Sequence, residues 1–225
     1  MINISNSIAE EVASIERKGV VSLNAVVDIK EKAKIFAINA HANQVRKING
    51  EPAVCHPIAV ANILGQYNYD DEVISAGYLH DTVEDTNNTI EDIERLFGSR
   101  VASLVNLASE PDKSLPWEER KSHTITVVRD NPIDDTVVIL ADKIQNMEDL
   151  TSNLQLYGLS IFNFFKRGVE KKLWYFESVY SAVNSTNSEL PIVKRLGESL
   201  TKLKLEVERQ KKLEEKSLNE DVVNK

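Results

Sequence analysis

The run Thr136-Val137-Val138-Ile139-Leu140 decides whether this chain contains a sheet. Its β-branched residues have the composition of a buried strand. The flanks argue otherwise: Ile133, Val137, Leu140, Ala141, Ile144 and Met147 recur at three- and four-residue steps through the run and beyond it, which is the period of a helix. A helix therefore passes through this segment and carries Asp142-Lys143-Ile144-Gln145-Asn146 with it. Upstream, Ala33, Phe36, Ala37 and Ala40 form the stripe of an amphipathic helix within residues 30–44, with His41 on the same face. Pro57 sits where a first-turn proline opens a helix holding Ile58, Val60, Ile63 and Leu64. Residues 73–84 are mostly apolar until a polar cluster ends them. Thr89 with Asp92 three residues on reads as a capping arrangement, and Gly98 closes that short helix. Helices are also expected over 99–108, over 117–130 after Pro116, in two segments across 157–183, and in one long stretch beyond Pro191. No segment reads as a strand, so the fold class is all-α.

The 225 residues predict one domain with an extension. Eight glycines and six prolines argue against a disordered or loop-rich chain. A net charge of −8 disfavours a nucleic-acid partner, whose footprint is a basic patch. The single cysteine, Cys55, excludes an internal disulfide and a Cys-x-x-Cys metal knuckle. No long apolar run or basic leader is present, which predicts a cytoplasmic protein with no membrane association. The charged C-terminal helix is expected to be a solvated face that frays or packs on a partner.

The chemistry concentrates in His80-Asp81-Thr82-Val83-Glu84-Asp85-Thr86. Carboxylates and an imidazole crowded at the end of an apolar segment are costly without a cation. Asp142 and Asn146, four apart, bring a second helix to the same problem, and His56 at a helix start brings a third element. His56, His80, Asp81 and Asp142 are thus a candidate ligand set for one divalent ion. Mixed nitrogen and oxygen donors suit an octahedral ion such as manganese or iron. Glu84 and Asp85, just beyond, would orient or deprotonate water there. Each residue has a plainer reading: His41 as a core histidine, His123 on the surface, Arg46-Lys47 as a solvated pair, Trp117-Glu118-Glu119-Arg120-Lys121 as an exposed helix start, and Phe164, Phe165, Trp174 and Tyr175 as core. No Gly-x-Ser-x-Gly, P-loop or dinucleotide fingerprint is present.

The order His56-Pro57, His80-Asp81, Asp142 resembles the HD superfamily of metal-dependent phosphohydrolases. Arg46-Lys47, the run Leu79–Thr86, Phe97-Gly98, and Leu140-Ala141-Asp142-Lys143 with Asn146 are similar to the hydrolase domain of RelA/SpoT homologues, and Pro116–Lys121 and Leu173-Trp174-Tyr175 look like the stand-alone small alarmone hydrolases. The resemblance implies an HD-type helical bundle around one manganese ion, and removal of pyrophosphate from the ribose 3′ position of ppGpp or pppGpp to leave GDP or GTP. It implies metal ligation by His56, His80, Asp81 and Asp142, an acidic pair Glu84 and Asp85 beside the attacking water, and nucleotide contacts from Arg46, Lys47 and Asn146. The chain departs from the family in Asn43, often Gly, in Ala53, often aromatic, and in Gln145, often His.

The expected organisation is an N-terminal extension over 1–29, a hydrolase domain over 30–185 and a charged C-terminal helical extension over 186–225 that could contact a partner or a second copy. Two other readings compete: another HD phosphohydrolase acting on the NADPH 2′-phosphate or on ordinary nucleotides, and a low-turnover binding or regulatory protein.

Overall fold

The structure, a computed structural model, describes residues 28–223, so the expected N-terminal extension lies almost entirely outside the described residues. Its helices in chain order are α1 (Ile29–Ala40), α2 (Cys55–Gln66), α3 (Asp71–Leu79), α4 (Thr82–Asp85), α5 (Ile90–Phe97), α6 (Ser99–Ala108), α7 (Trp117–Asp130), α8 (Ile133–Tyr157), a 3-10 turn (Gly158–Phe164), α9 (Gly168–Asn187) and α10 (Pro191–Val223). Among the described residues there is no strand, only an isolated bridge between Val45 and Pro52. The fold is all-α, and the β-branched run lies inside α8.

Helix α8 is the axis of the molecule. Val137, Leu140, Ile144, Met147 and Leu154 on it are fully buried, and it packs against α2, α3, α6, α7 and α10. That placement follows from the apolar stripe, which over Thr136–Asp142 widens until every successive residue is buried, so that neighbours must surround the helix there. Helix α3 nests between α1, α2 and α6. Gly77 allows this close approach: a β-carbon there would stand 2.7 Å from Leu64 Cδ1 and 3.1 Å from the Ala61 Cα on α2. The start of α3 is capped by Asp70, whose side chain accepts from the Val73 amide, and α5 carries a complete capping box between Thr89 and Asp92.

The apolar segment of residues 73–84 is two helices, not one. Helix α3 ends at Leu79, His80 and Asp81 form a turn, and α4 begins at Thr82. The C-terminal helix also differs from the solvated tail the charge run suggested. Ile192, Val193, Leu196, Leu200, Leu203 and Val207 are buried in the common core, and the helix docks along α8. Fully burying one such side chain contributes about 1.5–3 kcal/mol, so these residues hold the helix down. A polar brace adds to this: Arg195 Nε and Nη2 donate to the two Glu148 oxygens at 2.9 and 3.1 Å, and Ser199 donates to Glu148 at 3.2 Å. The helix that bears Asp142 is thereby held from its outer side.

Candidate metal centre

The start of α2, the turn after α3 and the middle of α8 meet at one point. His56 is on α2, His80 in the turn and Asp142 on α8, all buried, and one donor atom from each lies within 4.8 Å of the others. The His56 and His80 Nε2 atoms are 3.2 Å apart. His56 Nε2 stands 3.1 Å from Asp142 Oδ1 and 3.5 Å from Asp81 Oδ2, and His80 Nε2 stands 3.2 Å from Asp81 Oδ1. Asp81 thus borders both imidazoles.

The far side of each ring fixes what the near side can do. His80 Nδ1 is 2.9 Å from the Gly77 carbonyl, which only accepts, so Nδ1 carries the proton. His56 Nδ1 faces Gln145 Oε1, again an acceptor. Both Nε2 atoms are then bare lone pairs aimed at one another, with two carboxylates beside them. Such an arrangement repels itself unless a cation or a proton sits at its centre. Two imidazole nitrogens and carboxylate oxygens around one point fit a divalent metal ion.

The charges respond accordingly. Burial pushes the His56 imidazolium down, but the Asp142 hydrogen bond and the Asp81 and Asp142 charges outweigh it, so its pKa is raised above 6.5. Burial works against ionised Asp142 and is overcome by Lys143, His56 and His80, which hold its carboxyl well below the ordinary 3.8. Asp81 is lowered too, by His80 and His56 against burial. Asn146 and Lys143 both donate to Asp142.

Beside the cluster opens a cleft of about 510 Å³, lined by His56, Asp81 and Asp85 together with Gln44, Val45, Arg46, Lys47, Ile48, Ala53 and Phe165. The loop presenting the cations is tied by Arg46 N to Glu51 O at 2.8 Å and Ala53 N to Gln44 O at 2.9 Å. It starts at Asn43, whose φ of +66° lies in the left-handed region; asparagine tolerates it, which is how the departure from the family's glycine is absorbed. Arg46 pairs with Asp149 at 2.8 Å, whereas Lys47 is exposed on the rim. Glu84 is not among the cleft-lining residues; it accepts from the Glu110 amide at 2.8 Å. Burial, with the Asp81 and Glu110 charges adding to it against that hydrogen bond, pushes its pKa up to about 7. Asp85 is exposed and pairs with Lys113 at 2.8 Å.

Several plain readings change. Arg120 and Lys121 are not an exposed helix start: both turn inward onto Glu110, while Trp117 packs on Trp174 at 6.1 Å. Of the aromatic set only Tyr175 is fully core; Phe164 and Trp174 are exposed and Phe165 faces the cleft. His41 is buried, with Nδ1 against Gln44 and Nε2 unpartnered, and His123 is exposed. Gln145, noted only as a departure, orients His56. Gln44, which also donates to the Asp85 carbonyl at 2.8 Å, and Asp149 went unnoticed. Their signal is contact across the fold, which spacing along the chain does not carry.

Residues 33–163, more than half of the chain, match the HD domain family. The chain is 43% identical over 118 residues to the guanosine-3′,5′-bis(diphosphate) 3′-pyrophosphohydrolase MESH1 of Danio rerio, a match covering 51% of this chain and 65% of that protein. It is 39% identical over 132 residues to a GTP pyrophosphokinase of Myxococcus xanthus, covering 55% of this chain and 17% of that protein. The chain thus spans about two thirds of the former and a small part of the latter. Among solved structures, a metazoan ortholog of SpoT that hydrolyzes ppGpp superposes with a TM-score of 0.64 at 28% identity, covering 80% of this chain and 97% of that one.

Proposed function

The chain belongs to the HD domain family, and from that premise we propose that it is a metal-dependent hydrolase of ppGpp and pppGpp that removes the 3′-diphosphate to leave GDP or GTP. The observation that carries this reading is the pair of bare Nε2 atoms, 3.2 Å apart and flanked by Asp81 and Asp142, in a cluster whose His56 and Asp81 line the same cleft as Arg46 and Lys47. The names of the relatives supply the substrate class.

His56, His80, Asp81 and Asp142 would hold the ion, manganese by the donor set. Bound there, it would neutralise phosphate oxygens and acidify a water. The remaining roles belong to the chain. Lys47 meets the phosphates at the rim, and Arg46 joins it on release from Asp149. Asn146 fixes the Asp142 carboxylate from one side and stands ready toward the ribose. Water adds to the phosphorus joined to ribose O3′, and the P–O3′ bond breaks. Pyrophosphate leaves, and O3′ takes up a proton. Glu84, poised near neutrality by its burial, accepts the proton that water loses and returns it to O3′. Asp85, paired with Lys113, holds water on the open side. The catalytic unit is residues 30–185, with α10 beyond it as a brace through Arg195, Ser199 and the buried residues up to Val207, and unpaired Cys55 supports work in the reducing cytoplasm.

The test incubates metal-stripped protein with ppGpp, with and without manganese, and separates products by anion exchange, with NADPH in parallel. GDP and pyrophosphate formed only with manganese is the expected result. No ppGpp turnover overturns the reading, and phosphate from NADPH would reassign the chemistry.

A further inference from the structure

Lys172 on α9 stands apart from the other cations of the molecule. Its Nζ lies 4.6 Å from the centroid of the Phe165 ring and 5.8 Å from that of Phe176. Phe165 also lines the cleft that holds His56, Asp81, Arg46 and Lys47, whereas Lys172, set against that ring, is not itself a lining residue. Two further ammonium groups stand close by: Lys121 and Lys143 lie 4.7 and 5.4 Å from the centroid of Tyr175, the ring next to Phe176. Arg120 meets Lys121 on Glu110.

The nearby counter-charges are taken by other cations. Arg120 and Lys121 share one carboxylate, Glu110, and Lys143 pairs with Asp142. Asp142 is in turn engaged by His56. No carboxylate among the described residues forms an ion pair with Lys172. Burial, with Lys121 and Lys143 adding to it, pulls its pKa down to about 8. Three cations thus share two carboxylates, and the fourth, Lys172, is left without one. The aromatic faces offset part of the cost of keeping an ammonium there, but a partly buried cation short of a counter-ion is best satisfied by an anion from outside.

We propose that Lys172, backed by Lys121 and Lys143, extends past Phe165 to bind a diphosphate group at that edge of the cleft. The group is either the 3′-diphosphate that departs or the 5′-diphosphate that stays. The source of the diphosphate rests on the hydrolase reading, but the anion site itself can be tested without turnover. A lysine on α9 is well suited to this, because its flexible stem lets a point charge follow phosphate oxygens that move as a bond breaks.

The experiment titrates inorganic pyrophosphate and, separately, GDP into manganese-loaded full-length protein by calorimetry, for the parent chain, Lys172→Met and Lys172→Arg. A Lys172→Gln chain is made in parallel so that the comparison stands if the Met variant misfolds, with folding checked by thermal melting. The expected result is a loss of about tenfold or more in affinity for one of the two ligands in the neutral variants, with Arg restoring most of it. Loss confined to pyrophosphate assigns the departing group; loss confined to GDP assigns the 5′ group. Unchanged affinity for both in a folded neutral variant, or a parent chain that binds neither, overturns the proposal. If Lys172-dependent binding is found but ppGpp is not hydrolysed, the hydrolase reading fails and the anion site stands.

Discussion

The Nε2 atoms of His56 and His80 face each other at 3.2 Å, each on a ring whose other nitrogen already donates to an oxygen acceptor. Neither ring can turn its proton inward without breaking that bond. In the absence of metal, the cluster satisfies itself by taking a proton on His56, whose pKa is raised above 6.5.

Metal and proton therefore compete for one place. Manganese affinity falls as pH is lowered through the raised His56 pKa, by up to about tenfold per unit for one displaced proton. In the metal-free protein the sign is the reverse: charged His56 contributes stability that is fully present below 6.5 and lost as pH rises through the raised value. Asp81→Ala removes the carboxylate bordering both rings and loses metal and activity together. Calorimetric metal titrations from pH 5.5 to 8 check both, and a fully active Asp81→Ala chain would remove Asp81 from the centre.

Gln145→Ala frees the His56 ring while leaving all four proposed ligands in place. Outer partners of this type change metal affinity by about 10- to 100-fold. Equilibrium dialysis with manganese reads the loss, and a Gln145→His chain, which keeps a ring nitrogen at the position, separates orientation from mere bulk.

Glu84→Gln keeps the metal and lowers kcat by a factor on the order of 10² to 10⁴. Its carboxyl titrates at about 7 when folded against 4.5 as an ordinary group, so the folded state holds the extra proton between those values. Stability of the metal-free chain falls as pH rises across that window, by about 2 kcal/mol from this group. Urea denaturation at pH 5 and 7.5 shows the difference, and the slope due to this residue vanishes in Glu84→Gln.

How much of this could be read from the chain differs by the range of the interaction. The period through Ile133–Met147 placed α8, and the Thr89–Asp92 spacing placed the capping box, because both are local. The grouping of His56, His80 and Asp142 was legible because each stands where an apolar helix meets a polar residue it cannot bury alone. The break at His80-Asp81 was not legible, since α-helical composition continues across it and the turn is held by the Gly77 carbonyl bond to His80. The inward turn of Arg120 and Lys121 onto Glu110 was hidden because it spans a loop. Lys172 gave no signal: its setting comes from rings and cations on other elements.

Gly77→Ala tests how tightly the centre depends on helix spacing. The added carbon meets Leu64 and the α2 backbone, and the two helices that deliver His56 and His80 must part. The cost is about 1–3 kcal/mol of stability, accompanied by weaker manganese binding, whereas overpacking elsewhere in the core would leave metal affinity intact. Thermal melting and metal titration on one sample distinguish the two.

Lys47→Ala raises KM for ppGpp and leaves kcat nearly unchanged, because the residue stands at the rim, outside the cluster. Steady-state kinetics decide it; an unchanged KM takes Lys47 out of the site.

Arg46 already has a counter-ion, Asp149, at 2.8 Å. An incoming anion does not meet a free guanidinium but must displace a tethered carboxylate that is always at hand. Engagement of this wall is an exchange, with a threshold that singly charged ions such as chloride fail to cross and that a ligand of several closely spaced charges clears. At Arg46, in contrast to exposed Lys47 beside it, the cleft thus selects a ligand by how densely its charge is packed and not by sign alone.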